Sequence, residues 1–451
     1  MQNVPLVAAL AMDILRRAMA EKLQELHLAE LHARAAELGV PRFRLLRRED
    51  LVREIEARGG GDGADGESPA PVDVAEPRPP EAPPRAQATE SERDQGREPL
   101  EPDETEDVTG ALEIMPQRFG FLRVEGLESS PDDVYVSAAQ VRRCELRAGD
   151  QVSGPARPAH RGERHRALVH VDRVNGVELQ ALDRPQFDEL TPVVPKRRVP
   201  LDRDPSDLLV RAIDLLAPVA LGQRVLIRAA PRSGRTTLLR GLADAIGRAD
   251  EVGLVVLLVD ERPEEATAWR QAVPGAEIAI ATADLPPAEQ VGVAELALER
   301  ARRRVEAGAD VVLIADSLSR LAVAAGDVAE VKRLFGSGRD VAEEDAGSLT
   351  VIATVLEGGD DDGAAERAVI TTESSLIELD PALAAAGVVP ALKASGCRVS
   401  NEEELRTPEE LAAARRLRSL LADLDPAEAA SLLRERIEPS GSNAELLDSL
   451  G

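Results

Sequence analysis

A chain of 451 residues is too long for one ordinary domain, and its 43% apolar content can fill two or three folded units joined by linkers. Only 2% of residues are aromatic, so the cores rest on Ala, Val and Leu, and any aromatic cluster asks for an explanation. The net charge of -27 argues against indiscriminate nucleic-acid binding, because phosphates are held chiefly by Lys and Arg.

Cys144 and Cys397 are far apart, without metal-ligand spacing, and read as reduced thiols. No apolar run approaches a membrane span: Val4 to Leu15 is broken by Asp13 and followed by Arg16 and Arg17, so the expected location is the cytoplasm. Residues 1–58 show helical periodicity, with Leu23, Leu26, Leu28, Leu31, Ala35 and Leu38 ahead of Gly39, then Leu45, Leu46, Leu51 and Ile55 after Pro41. Residues 59–110 turn to Pro, Gly, Ala and acids, as in EPLEPDETED, and read as a disordered acidic linker.

Over 111–180 the runs FGFLRV, DVYVS and RALVHVDRV alternate with the turn signals SSPDD and RAGD, which predicts a small all-β barrel. Phe119 and Phe121 share one face of their strand, and Tyr135 follows on the next run. With Arg123, Arg142, Arg143, Arg161, Arg164 and Arg166 nearby, the rings suit base stacking and the cations suit phosphates. The competing reading puts the rings in the barrel core. Residues 181–206 read as a connector.

From 207 to 451 near-continuous apolar strands alternate with helices: RVLIRAA, TTLLRGLADAIG, VGLVVLLVD, a long helix near Ala288 to Ala307, DVVLIAD and SLTVIATV. This predicts a mostly parallel, doubly wound α/β sheet, followed by an acidic helical segment over Pro408–Leu450. The stretch AAPRSGRTTLL has the shape of a phosphate loop, in which backbone N–H groups converge on phosphates at a helix N-terminus and the Thr236 hydroxyl suits magnesium. It carries Arg235 where such a loop has lysine, and an ordinary strand-loop-helix turn is the alternative. Two further strands end in Asp260-Glu261-Arg262 and Asp316-Ser317. Strand ends of an open α/β sheet bind ligands, so Asp316 is expected to hold magnesium through water and Glu261 to orient an attacking water. Acidic residues also end strands simply as helix caps.

From about Met19 to Glu404 the chain resembles the bacterial transcription termination factor Rho family, through ELHLAELHARAAELGV, DDVYVS, RRCELRAGD, LTPVVP, DLLAPVALGQR, LVDERPEE and ADSLSRLA. The resemblance begins at MAEKLQELHLAELH, so Met19 is the expected initiator. It implies a homo-hexameric ring that takes ATP and Mg2+, with an OB-like barrel and a RecA-like ATPase domain in each subunit. Such a ring binds nascent single-stranded RNA, acts as an RNA-dependent ATPase and helicase, and releases the RNA from the RNA polymerase elongation complex. By that resemblance Phe119, Phe121, Arg123, Tyr135 and Arg164 fall on RNA-binding positions, and His165 stands where the family has an aromatic residue. Arg232, Ser233, Gly234, Arg235, Thr236 and Thr237 fall on the phosphate loop, with Leu221, Gly222, Gln223 and Arg224 on a segment neighbouring the nucleotide. Glu261 takes the catalytic position, Arg262 a nucleotide contact, and Asp316 with Thr236 the magnesium site.

The departures from the family are as specific as the matches. Arg235 replaces the compact lysine ammonium with a planar fork. The pore loop after Leu321 is reduced to AVAAGDVAEVKRLFGSGRD. In DPALAAAGVVPAL, Pro381 and Gly387 stand at the positions of two arginines, one of them the arginine finger, and Ala382 and Ala386 at those of lysines. Three readings follow: a ring with impaired translocation; an active terminator with relocated cations, using Arg339, Arg367 or Arg398 as finger and Lys332 or Arg333 in the pore; or a regulator of a fully equipped family member.

Overall fold

This computed structural model describes residues 105–179, 184–249, 252–358 and 363–450. The helical module over 1–58, the start at Met19 and nearly all of the linker lie outside the described residues. Where description begins, the boundary differs from expectation. Strand β1 (Glu106–Ile114) starts inside the segment read as linker, because its acidic first residues pair with β4 (Gln151–Arg157), from Glu106 opposite Ala156 to Ala111 opposite Gln151. Acidic composition there conceals an alternation that buries Val108, Gly110 and Leu112.

β1 pairs with β2 (Gly120–Arg123), β2 with β3 (Val134–Val136), β3 in parallel with β5 (Arg166–Leu168), and β5 with β4, which returns to β1. The five strands close an OB-like barrel, and a hairpin of β6 (Arg173–Val174) and β7 (Val177–Glu178) extends from β4. Helix α1 (Ala138–Arg143) lies between β3 and β4, its N-terminus closed by a reciprocal capping box of Ser137 and Gln140. The barrel core is aliphatic: Leu112, Leu122, Val134, Val136, Val152 and Val174 are fully buried.

After a short antiparallel pair of β8 (Pro192–Val193) with β13 (Asp340–Val341) and helix α2 (Leu208–Leu216), the second domain is a seven-stranded sheet. Its order is β11 (Glu277–Thr282), β10 (Val252–Glu261), β12 (Asp310–Asp316), β14 (Leu349–Leu356), β9 (Arg224–Ala229), β15 (Ser375–Glu378) and β16 (Arg398–Val399). All pairings are parallel except that of the edge strand β16.

The central strands are apolar on both sides, and helices cover both faces. Val256, Leu258 and Ile314 pack against α3 (Arg235–Gly247), α4 (Pro263–Ala272) and the C-terminal helices α10 (Pro408–Ala422), α11 (Pro426–Ile437) and α12 (Asn443–Leu450). Val255, Leu257 and Leu313 face α5 (Pro287–Glu306), α6 (Leu318–Ala325), α7 (Ala329–Gly336) and α8 (Ala364–Val369). The short helix α9 (Pro381–Ala385) follows β15. Each fully buried Val or Leu contributes about 1.5–3 kcal/mol, so these two cores dominate stability. No described helix is long and apolar enough to cross a membrane.

The barrel is seated on the sheet domain by specific polar contacts. Glu128 accepts a 2.8 Å hydrogen bond from the Ile280 backbone N–H, Arg147 lies 3.2 Å from Glu306, and Arg300 donates to Gln151 at 3.1 Å. Gly149, at φ +82, meets the Glu299 carbonyl carbon so closely that a Cβ there would stand 2.3 Å from it.

Candidate functional site

The loop between β9 and α3 has the geometry that anion binding needs. Gly234 takes the left-handed conformation (φ 87°, ψ 12°) at the helix N-cap, leaving the first N–H groups of a thirteen-residue helix without a side-chain cap. Arg232 is exposed with φ 63°, Thr236 is half-buried and Thr237 exposed on the first turn. Ser233 is 1% exposed, and its hydroxyl has no partner within the protein.

Parallel pairing brings the carboxyl ends of β9, β10 and β12 to one edge of the sheet, as the strand pattern predicts. There Arg235 turns toward the acids. Its Nε lies 3.1 Å from Asp316 Oδ2, a charge contact rather than an aligned hydrogen bond, and Nη2 donates to Glu261 Oε1 at 3.4 Å. The second Asp316 oxygen accepts from the Thr354 hydroxyl at 2.8 Å. Glu261 is also held by Arg320, whose Nη1 donates to the Val259 carbonyl as well, at 3.3 Å. Burial pushes the Asp316 carboxyl above its ordinary range, against the opposing pull of Arg235 and the Thr354 hydroxyl. Arg262 is exposed at the N-cap of α4.

Sequence reasoning missed Thr354 and Arg320. Thr354 is one of two threonines in the otherwise apolar β14, neighbour of β12. Arg320 follows the Ser317 N-cap of α6 by three residues, in the first turn, where a side chain reaches back over the adjacent strand end.

Leu221, Gly222, Gln223 and Arg224 stand apart from the loop within this chain: they precede or begin β9, at the opposite edge of the sheet, while the loop follows Ala229. Five strand steps of about 3.3 Å separate Arg224 from Ala229 by ~16 Å. Within the chain the segment is tied to its surroundings: the Gly222 N–H donates to the Thr350 hydroxyl at 2.8 Å, Gln223 accepts from the Ala220 N–H at 3.0 Å, and Arg224 donates to the Gly338 carbonyl at 2.9 Å.

The residues present do not suit a divalent cation at Asp316. Both of its oxygens already face donors of the chain, and the one facing Oδ2 is a permanent cation. Most of the candidate relocated cations have partners of their own. Arg398 pairs with Glu373 at 2.7 Å, Arg333 with Glu295 at 2.9 Å and with Glu330, and Arg339 stacks 4.6 Å over the Phe187 ring. Arg367 has an interaction of its own, and Lys332 is exposed on α7. Pro381, Ala382, Ala386 and Gly387 form an exposed, uncharged turn of helix.

On the barrel the rings stand outside the core. Phe119 lies 5.8 Å from Phe121 and 5.6 Å from Tyr135, and Phe121 lies 5.0 Å from the His165 ring, edge to face. Tyr135 is 37% exposed. Phe121, Tyr135, Arg143, His160, Arg164 and His165 help to line a cleft of about 960 Å³. Phe121 and Tyr135 face each other across β2 and β3, which fixes their common side. The His165 Nδ1 is buried without a partner.

Arg123 is placed differently from the other expected RNA contacts. It is 8% exposed, pairs with Glu113 and with the 1% exposed Asp133, and sits 5.7 Å from the Phe121 centroid. Its charge is consumed beneath the ring. Arg166 pairs with Glu106 at 2.9 Å, and Arg157 with Glu163 through two bonds of 2.7 and 2.9 Å that hold the Glu163 carboxyl down at about 2.

Among the described residues, a closed five-stranded barrel bearing an external aromatic cluster, joined to a parallel sheet with a phosphate loop at its strand ends, defines the RNA-binding, RecA-like P-loop class. Residues 108–180 match the Rho termination factor, RNA-binding domain, and residues 210–336 match the ATP synthase alpha/beta family, nucleotide-binding domain. The chain is 38% identical over 369 residues to the transcription termination factor Rho of Aquifex aeolicus, covering 76% of this chain and 84% of that protein. Its counterpart in Chromobacterium violaceum is 38% identical over 367 residues, covering 76% and 87%. That of Streptomyces lividans is 40% identical over 367 residues, covering 75% of this chain and 51% of that protein, so this chain spans about half the length of that relative. The chain belongs to the transcription termination factor Rho family.

Proposed function

We propose that this protein is an RNA-binding, nucleotide-holding ring subunit of its family in which ATP-driven translocation is weak or absent. The observation that carries the reading is the contact of Arg235 with both Glu261 and Asp316. A carboxylate orients an attacking water through its oxygens, and here Glu261 Oε1 is shared between two guanidinium groups while Oε2 accepts a 3.4 Å hydrogen bond from the Arg262 N–H, so the carboxylate is neutralised and held in place. The uncharged segment from Pro381 to Gly387 adds a second obstacle, since an arginine finger is worth about 10³–10⁵ in rate.

The RNA side of the proposal rests on the external rings and the cleft beside them, which suit a pyrimidine-rich single strand. The RNA polymerase elongation complex is the proposed partner and a homo-hexamer the proposed assembly. The test is ATP hydrolysis by the purified full chain, with and without pyrimidine-rich RNA. Turnover is expected to stay at background in both, and robust RNA-stimulated turnover overturns the reading. Arg235→Lys alone is expected to leave turnover at background, because the lysine does not restore a finger.

A further inference from the structure

The same site carries a second conclusion, which rests on the nucleotide-holding part of the proposed function. We propose that it binds a nucleoside di- or triphosphate without a divalent cation, the Arg235 guanidinium occupying the carboxylates that a metal would need.

The argument begins with the acids. A magnesium ion beside a phosphate loop needs a carboxylate free to take the metal or one of its waters. At Asp316 that place is contested: Thr354 donates to Oδ1 at 2.8 Å, and the Arg235 Nε, a permanent cation, stands 3.1 Å from Oδ2. Glu261 is held between Arg235 and Arg320, and Arg320 also reaches Asp260 at 3.9 Å. A dication at this strand edge would meet a guanidinium in its own coordination shell. Unlike lysine, arginine cannot leave by losing its proton.

The cradle itself is kept. The Ser233 hydroxyl is buried without a partner beside the uncapped helix N-terminus, a donor that a phosphate oxygen would satisfy. Arg232 in the loop and Arg262 at the next strand end are exposed cations that favour a polyphosphate. What the geometry withholds is the metal, and what it supplies is a site for the anion.

The measurement is equilibrium binding of mant-labelled ADP to the full chain, followed by fluorescence in buffer with Mg2+ and in buffer with EDTA. A diphosphate is used so that the result is independent of turnover. The affinity is expected to agree within about twofold between the two buffers, and a loss of about tenfold or more in EDTA overturns the proposal. Absence of binding in both buffers also overturns it, together with the nucleotide-holding part of the proposed function. The hydrolysis assay stands apart from either result. Arg235→Lys is expected to make binding depend on Mg2+, with a loss of about tenfold or more in EDTA. The wild-type comparison decides the matter even if that variant fails to fold.

Discussion

The aromatic face of the barrel and the strand-end site of the sheet are both built from arginines near acids, yet they use them in opposite ways. On the barrel, Arg123 is spent internally on Glu113 and Asp133, while Arg143 and Arg164 border an open cleft beside Phe121, Tyr135 and His165. At the strand ends, Arg235 and Arg320 close on Glu261 and Asp316. A surface that must meet a long, variable polyanion keeps its cations turned outward. A site whose cations and catalytic acids satisfy one another has little left with which to drive a reaction.

The largest expected effect tests whether Arg123 belongs to the structural side of this contrast. Arg123→Ala strands the buried Asp133 carboxylate, and breaking such a pair costs about 3–5 kcal/mol. Urea unfolding should show that loss. A variant of unchanged stability with weakened RNA binding would move Arg123 to the open face. Next come the rings: base-aromatic stacking is worth about 1–3 kcal/mol per base, so Phe121→Ala and Tyr135→Ala should each weaken binding of a pyrimidine-rich oligonucleotide by roughly 5- to 150-fold. Fluorescence anisotropy at fixed salt measures it, and wild-type affinity in both variants would remove RNA from this face. Smaller still, Arg143→Gln and Arg164→Gln should each reduce the slope of log affinity against log salt by about 0.7, one phosphate contact apiece on a single strand.

These sites differ in how far the sequence exposes them. Ring positions were legible because Phe119, Phe121 and Tyr135 sit at alternating or paired strand positions in a chain nearly devoid of aromatics. An aliphatic core was available to displace them outward. The parallel sheet was legible from its doubly apolar strands, and the loop from its small residues. What stayed hidden was pairing. No local pattern says that Arg235 reaches Glu261 and Asp316, since the three come from different strand ends joined only by the sheet order. The burial of Arg123 depends on Asp133, which sits in the turn before β3. Leu221–Arg224 lies close to the loop in sequence but is carried away from it by the intervening extended strand β9.

The last prediction reaches the strand-end site through pH. Burial holds the native Asp316 carboxyl above its ordinary value of 3.8, so between that value and the raised one the native state binds more protons than the unfolded chain. Stability contributed by this group therefore falls as pH rises through that window, by linkage. The Arg235 guanidinium opposes the rise; Arg235→Met removes that opposition, moves the native value higher and extends the decline toward neutral pH. Asp316→Asn in the Arg235→Met background deletes the titrating group. The stability difference between the single and double variants, followed by urea unfolding from acid to neutral pH, should favour the double variant increasingly as pH rises. A difference independent of pH would mean that Asp316 ionises as readily in the folded Arg235→Met protein as in the unfolded chain. Burial at this strand end would then have no hold on the charge of Asp316.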